Sequence, residues 1–185
     1  MAHYTQKAIL HTFQDMLRQM PFDKITVSAL VAKCEISSNT FYYHYRDIYD
    51  LLDTWFQIIK ERYLIQLRKA WCWQDVLKTL LRDMKANFDL VYHLFNSLSR
   101  ERLERHIFES TDDTFYKLVC AKTAGVSVPI EVLRDVTEYN SYALLGFLLK
   151  FLWKSMNSDI DESVDRIGRI FEENIQWLIT KYGSE

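Results

Sequence analysis

The chain has 185 residues, 49% hydrophobic and 26% charged, with a formal net charge of −2. That balance supports a packed core and excludes a disordered chain, while the near-neutral charge gives no general attraction to a polyanion. Only four Gly and two Pro occur, so the punctuation of sheet proteins is missing and the composition predicts an all-α chain with few loops. Cys34, Cys72 and Cys120 stand far apart without a CxxC pair, which fits free thiols in a reducing cytoplasm. Met1 to Lys7 is polar, unlike a signal peptide. The most apolar run, Ala143 to Phe151, is too short to span a bilayer and contains Lys150, so no membrane partner is expected.

Thr5 is placed to cap a first helix, along which Ile9, Phe13, Leu17 and Met20 form one apolar face. Pro21 ends it, and a loop from Phe22 to Ile25 follows. Thr26 caps a short second helix whose Val27, Leu30, Val31 and Cys34 point inward. A break at Glu35-Ile36-Ser37 leads to a third short helix, Ser38 to about Tyr43, capped by Ser37. Asp47 caps a long fourth helix with Ile48, Leu51, Leu52, Trp55, Ile59 and Tyr63 on its inner face. Further helices are predicted over Gln74 to Asn87, Asp89 to Leu98, Arg100 to about Ala124, Ile130 to Met156 and Asp161 to Lys181. In the last of these, Val164, Ile167, Phe171, Ile175 and Leu178 make one stripe, with Ile170 and Trp177 off it.

Two short helices joined by a three-residue turn and backed by a supporting helix make a helix-turn-helix unit, whose second helix enters the major groove of DNA. Charge does not announce that role. The first fifty residues carry Lys7, Arg18, Lys24, Lys33 and Arg46 against Asp15, Asp23, Glu35, Asp47 and Asp50. The leading end of the third helix holds Ser38, Asn39 and Thr40, short polar side chains suited to base edges. Asn pairs bidentately with adenine, and Thr bonds a base or touches a thymine methyl. Tyr42, Tyr43 and His44 follow on a segment exposed once Phe41 turns inward. Their donors bond phosphate oxygens with little net charge. The competing readings are that Ser38 and Asn39 only cap the helix and that the aromatic run only packs on the fourth helix.

The segment ITVSALVAKCEISSNTFYYHYRDIYDLL, Ile25 to Leu52, resembles the DNA-binding region of the tetracycline-repressor (TetR) family. The family pattern reads ITV, a helix, A-G-V-S, two variable residues, T-F-Y-x-H-F, a turn and L-L. Ile25, Thr26, Val27, Ser37, Thr40, Phe41, Tyr42, His44, Leu51 and Leu52 fall in register, and Tyr45 stands for a Phe. Glu35 replaces the turn glycine, so the turn forms without the residue that best tolerates positive φ. Ile48 replaces a basic residue often found at the start of the fourth helix, which removes one phosphate contact. The resemblance implies DNA-binding residues Thr26, Ser38, Asn39, Thr40, Tyr42, Tyr43 and His44. It also implies a helix-turn-helix head over residues 1–47 and a helical ligand-binding and dimerisation body over 48–185. The function implied is a transcriptional regulator, a repressor, acting as a homodimer on a palindromic double-stranded operator under a small-molecule effector. The lining of the effector pocket is not legible.

No glycine-rich phosphate loop, HExxH pair or GxSxG elbow occurs, so the chain reads as a non-enzyme without a cofactor. Two alternatives stay open. Cys72, His93, His106 and Cys120 are donors that suit zinc, which would make a metal-responsive regulator. A neutral head also permits a helical interaction module that does not bind DNA. Dimerisation is expected on the last two long helices, with Phe171 and Trp177 as contacts and Gly146 as a point of close helix approach.

Overall fold

The caps and apolar periods described above become helices in the computed structural model, which describes residues 2–69 and 72–183. Nine α-helices and no strand occur among the described residues. They are α1 Ala2–Gln19, α2 Val27–Lys33, α3 Ser38–His44, α4 Ile48–Lys69, α5 Trp73–Ala86, α6 Phe88–Ser97, α7 Arg100–Lys122, α8 Ile130–Trp153 and α9 Ile160–Tyr182. Several boundaries shift by one or two residues, and three features differ more. The first helix begins at Ala2, before Thr5. Phe22–Lys24 winds into a 3-10 turn rather than a plain loop, because the Lys24 and Ile25 amides reach the Pro21 and Phe22 carbonyls at 3.0 Å. The eighth helix stops at Trp153, because Ser155 and Met156 take φ of 51° and 57°.

The short helices are held by their caps. Thr26 Oγ1 accepts the Ala29 amide at 3.2 Å, and Ser37 Oγ accepts the Thr40 amide at 3.1 Å. Asp47 Oδ1 accepts from the Tyr49 and Asp50 amides at 2.8 and 2.9 Å, so the caps expected at Thr26, Ser37 and Asp47 are formed, whereas Thr5 lies inside α1. The end of α2 closes in a Schellman motif. The Ile36 amide donates to the Val31 carbonyl at 3.1 Å and the Glu35 amide to the Ala32 carbonyl at 3.3 Å. Glu35 occupies the left-handed position with φ of 55°. Ser155 and Met156 repeat the pairing at the end of α8, through the Leu152 and Phe151 carbonyls.

Two packing units result. One comprises Met1–Trp71 with Arg82–Ser99, the other Cys72–Leu81 with Arg100–Glu185. In the first, Ile9, Phe13, Leu17, Leu30, Phe41, Leu51 and Leu52 are fully buried, and Leu90, Leu94 and Leu98 of the α6 segment join the same cluster. Burial on this scale, about 25 cal/mol per Å² of apolar surface, holds helices too short to stand alone. In the second unit the rings of Trp73, Phe115 and Phe171 meet edge to face, with centroids 5.5 to 5.8 Å apart. α7 packs along α8. The stripe Val164, Phe171, Ile175 and Leu178 is buried, whereas Ile170 and Trp177 are about half exposed. Phe171 therefore belongs to the subunit's own core. It is not a contact residue, because its ring fills the aromatic cluster with Trp73 and Phe115.

Glu35→Gly is expected to raise stability. A left-handed L-residue costs about 1–2 kcal/mol, against roughly 0.5–1 kcal/mol for the extra unfolded-state freedom of glycine. A net gain of up to about 1.5 kcal/mol should appear as a higher urea midpoint at unchanged slope. A lowered midpoint would mean that the carboxylate contributes more than the backbone angle costs.

Candidate nucleic-acid interface

The α2–turn–α3 segment presents a polar outer edge over an apolar inner one. Phe41 is 0% exposed and Tyr45 2%, so these two rings fix the rotation of α3. With Phe41 inward, Tyr42 and Tyr43 come out at 57% and 80% exposure. Ser38 and Asn39 occupy the first two helical positions and are exposed, free of the aromatic packing that would hide them. Thr40 is half-buried, and its hydroxyl lies 2.8 Å from Ser37 Oγ, so it serves the cap as well as the surface. Thr26 is exposed at the start of α2, 3.1 Å from the Ser28 hydroxyl. His44 is half-buried, its ring edge-on to Tyr43 at 5.0 Å and tilted against Tyr45 at 6.2 Å. The expected residues thus lie on two adjoining helix segments of one unit. Ser38, Asn39, Tyr42 and Tyr43 are the most accessible part, and Thr40 and His44 are partly committed to structure.

The charges beside this edge are locally balanced. Arg46, which follows α3, is 3.3 Å from Asp50, and Lys24 is 3.7 Å from Asp23. The Arg46 backbone amide, which donates to Asp50 at 2.9 Å, holds that carboxyl below its ordinary pKa, with the Arg46 guanidinium assisting. Burial pushes the Tyr45 phenol above its ordinary range, with the nearby Gln6 side chain opposing it. The edge therefore offers hydroxyl, amide and imidazole groups, with Arg46 and Lys24 each beside a carboxylate and Lys33 bonded to the neutral Gln19 side chain at 3.4 Å.

Local pattern gave no sign of the groups that brace this unit from far along the chain. His93 Nδ1 donates to the Leu17 carbonyl at 2.7 Å, which fixes its tautomer. Ser97 Oγ accepts the Phe22 amide at 2.9 Å and donates to the His93 carbonyl. Arg18 reaches Asn87 Oδ1 at 3.3 Å. These contacts tie α6 to α1 and the 3-10 turn across 69 to 76 residues.

The four donors considered for zinc have other partners or places. His93 is engaged with Leu17, and the Cys72 thiol donates to Asp75 at 3.0 Å. Among the described residues no group of three or more His, Cys, Asp or Glu is placed to hold a metal ion. An open cleft of about 560 Å³ in the second unit is lined by Gln74, Lys78, Asp165, Arg169 and Glu172, among others. Some of its charges pair within the protein, Lys78 with Asp165 at 2.6 Å and Lys122 with Glu172 at 2.8 Å. It is a polar groove rather than an apolar pocket.

Residues 72–173 match the family model of a transcriptional regulator C-terminal region. Among solved structures, the chain is similar to the dihydroxyacetone kinase operon activator DhaS. The TM-score is 0.73 at 18% identity, covering 94% of this chain and 97% of that one. It is also similar to a transcriptional regulator from Cytophaga hutchinsonii, with a TM-score of 0.52 at 12% identity, covering 95% and 97%. No curated protein sequence matches. At these identities the structural likeness speaks for the fold.

Phe41→Ala should cost roughly 3–5 kcal/mol by leaving a cavity under α3. Tyr43→Ala should change stability by no more than about 0.5 kcal/mol, since its ring is in solvent. Denaturant unfolding of the two variants checks the contrast. A Tyr43→Ala loss as large as that of Phe41→Ala would make Tyr43 a packing residue.

Proposed function

The chain belongs to the TetR family of transcriptional regulators, and from that premise we propose that it is a homodimeric repressor that binds a palindromic double-stranded operator under a small organic effector. In this reading residues 1–47 are the DNA-binding head, residues 48–185 the regulatory and dimerising body, and the cytoplasm the working compartment. The carrying observation is the division of α3 between a fully buried Phe41 and the exposed Asn39, Tyr42 and Tyr43. A helix anchored on one side and polar on the other is built to be offered to a partner. Ser38, Asn39 and Thr40 supply base-edge contacts. Thr26, Tyr42, Tyr43 and His44 supply backbone contacts.

A two-fold dimer presents two equal recognition helices, hence two half-sites related by symmetry. Ile170 and Trp177 on the outer side of α9, and Tyr142 and Trp153 on α8, are large exposed apolar side chains that support self-association. Repression follows most directly, because a dimer seated on a promoter blocks it without any further contact. The operon activator of similar fold makes activation the competing outcome, and a reporter carrying the operator separates the two signs. The effector works only through different affinities for the DNA-competent and incompetent conformations.

On the operator, selected from DNA upstream of the protein's own gene, Asn39→Ala should lose about 1–3 kcal/mol and relax preference at one base pair. Tyr42→Phe should lose about 1 kcal/mol equally on all sequences, because a phosphate carries no base identity. Titrations at fixed salt on single-base operator variants decide. Reversed effects would exchange the two roles, and two silent variants would leave a helical interaction module in place of a DNA binder.

Replacing Ile170 and Trp177 together with Asp should convert the dimer to a folded monomer in sedimentation and erase the paired half-site footprint. A dimer that survives both changes would remove the outer face of α9 from the interface.

A further inference from the structure

In the second unit, the start of α5 and the middle of α9 face each other across the cleft of about 560 Å³. Gly168 sets how near they come. It is buried, and a Cβ built on it would stand 2.8 Å from Gln74 Nε2 and 3.0 Å from Gln74 Cγ. The Gln74 side chain therefore lies on the α9 backbone, where any side chain at position 168 would displace it. Its amide lines the cleft and makes no hydrogen bond among the described residues.

Charge on this face of α9 is unevenly matched. Asp165, Arg169 and Glu173 follow one another at four-residue spacing, so all three share one side of the helix. Asp165 is the natural partner of Arg169, since an acid four residues before a base is the favourable order. Lys78 of α5 takes Asp165 instead, at 2.6 Å. Glu172, the next acid within reach, is taken by Lys122 of α7 at 2.8 Å. Asp75 accepts the Cys72 thiol at 3.0 Å. Glu173 follows Arg169 in the unfavourable order. Arg169 and Glu173 are both exposed, and neither makes an ion pair among the described residues. The cleft thus holds one unpaired cation and one unpaired anion a single helical turn apart.

We propose that this cleft binds a free α-amino acid, with the ligand carboxylate on the Arg169 guanidinium, its ammonium on Glu173 and the Gln74 amide as a neutral third contact. The ligand class follows from charge. An anion without an ammonium group would meet the carboxylates of Asp75, Asp165, Glu172 and Glu173 together, and like charges oppose it. A polyamine would satisfy Glu173 but set a second cation against Arg169. A zwitterion answers both unpaired groups at once, and its two charges are separated by little more than one carbon. The guanidinium takes a carboxylate in a two-bonded fork, which fixes the ligand's orientation. The site reads the groups on the α-carbon, which every free amino acid shares. It is independent of the operator reading, because its occupancy is read on the protein alone.

The test is calorimetric titration of the full chain at low salt with L-leucine, L-glutamine, L-glutamate and L-lysine. Each is paired with its N-acetyl and carboxamide derivatives, and spermidine serves as the cation control. At least one free amino acid should bind, and removing either charge from it should weaken binding roughly tenfold. Arg169→Gln should weaken the free amino acid by a similar factor and leave its carboxamide nearly unaffected. Glu173→Gln should do the same with respect to the N-acetyl derivative. Both residues are exposed, so both variants should keep the wild-type helix content by circular dichroism. The site is overturned if none of the four amino acids binds, if the derivatives bind as tightly as their parents, or if neither variant changes the affinity. Spermidine binding more tightly than every amino acid would make the cleft an organic-cation site and overturn the proposal as well.

Discussion

A seven-residue helix does not hold its shape in water, since the cost of nucleating it exceeds what two turns of hydrogen bonds return. α3 is such a helix, and the rest of the head is arranged to hold its one buried ring. Phe41 belongs to the same buried cluster as Phe13 of α1, Leu30 of α2 and Leu51 of α4. Ser37 and the Schellman turn at Glu35 set where the helix starts. The accessibility of Asn39 and Tyr43 follows from that burial, because a helix locked by one face must show the other.

The neutral surface around α3 has a consequence for how it meets a polyanion. Arg46 and Lys24 are each beside a carboxylate, so in the proposed reading these two cations would release fewer counterions and neutral donors would carry a larger share of the contact. Affinity built this way depends on geometry more than on charge. It therefore needs a rigid frame, which the hydrogen bonds of His93, Ser97 and Asn87 to α1 and the 3-10 turn supply.

Two positions forgo local stability. Glu35 accepts a left-handed backbone at the turn of the head. Gly146 lowers the helix propensity of α8 where no neighbour within the subunit requires it. Glu35 lies in the head, which the proposed reading assigns to DNA recognition, and Gly146 on one of the two long helices it assigns to dimerisation. Local rules broken without a local gain are where function is most often found.

Periodicity and capping residues were enough to place every helix within a few residues, because 3.6-residue spacing, Thr26, Ser37 and Asp47 act on their own neighbours. The same local chemistry made the edge of α3 legible, Phe41 inward and Tyr42 and Tyr43 outward. What lay beyond it was set by contacts across many residues. Nothing near Phe171 in the chain says that its ring is taken up by Trp73 and Phe115 rather than by a partner. Nothing near Gly146 says whether it is a core glycine or an outer one. Likewise, the sequence marks His93 only as a donor that would suit zinc, and its nitrogen against the Leu17 carbonyl shows it bracing α1 instead. An apolar period shows that a residue has to be covered. Only the packed chain shows by what, because covering depends on which distant surfaces meet.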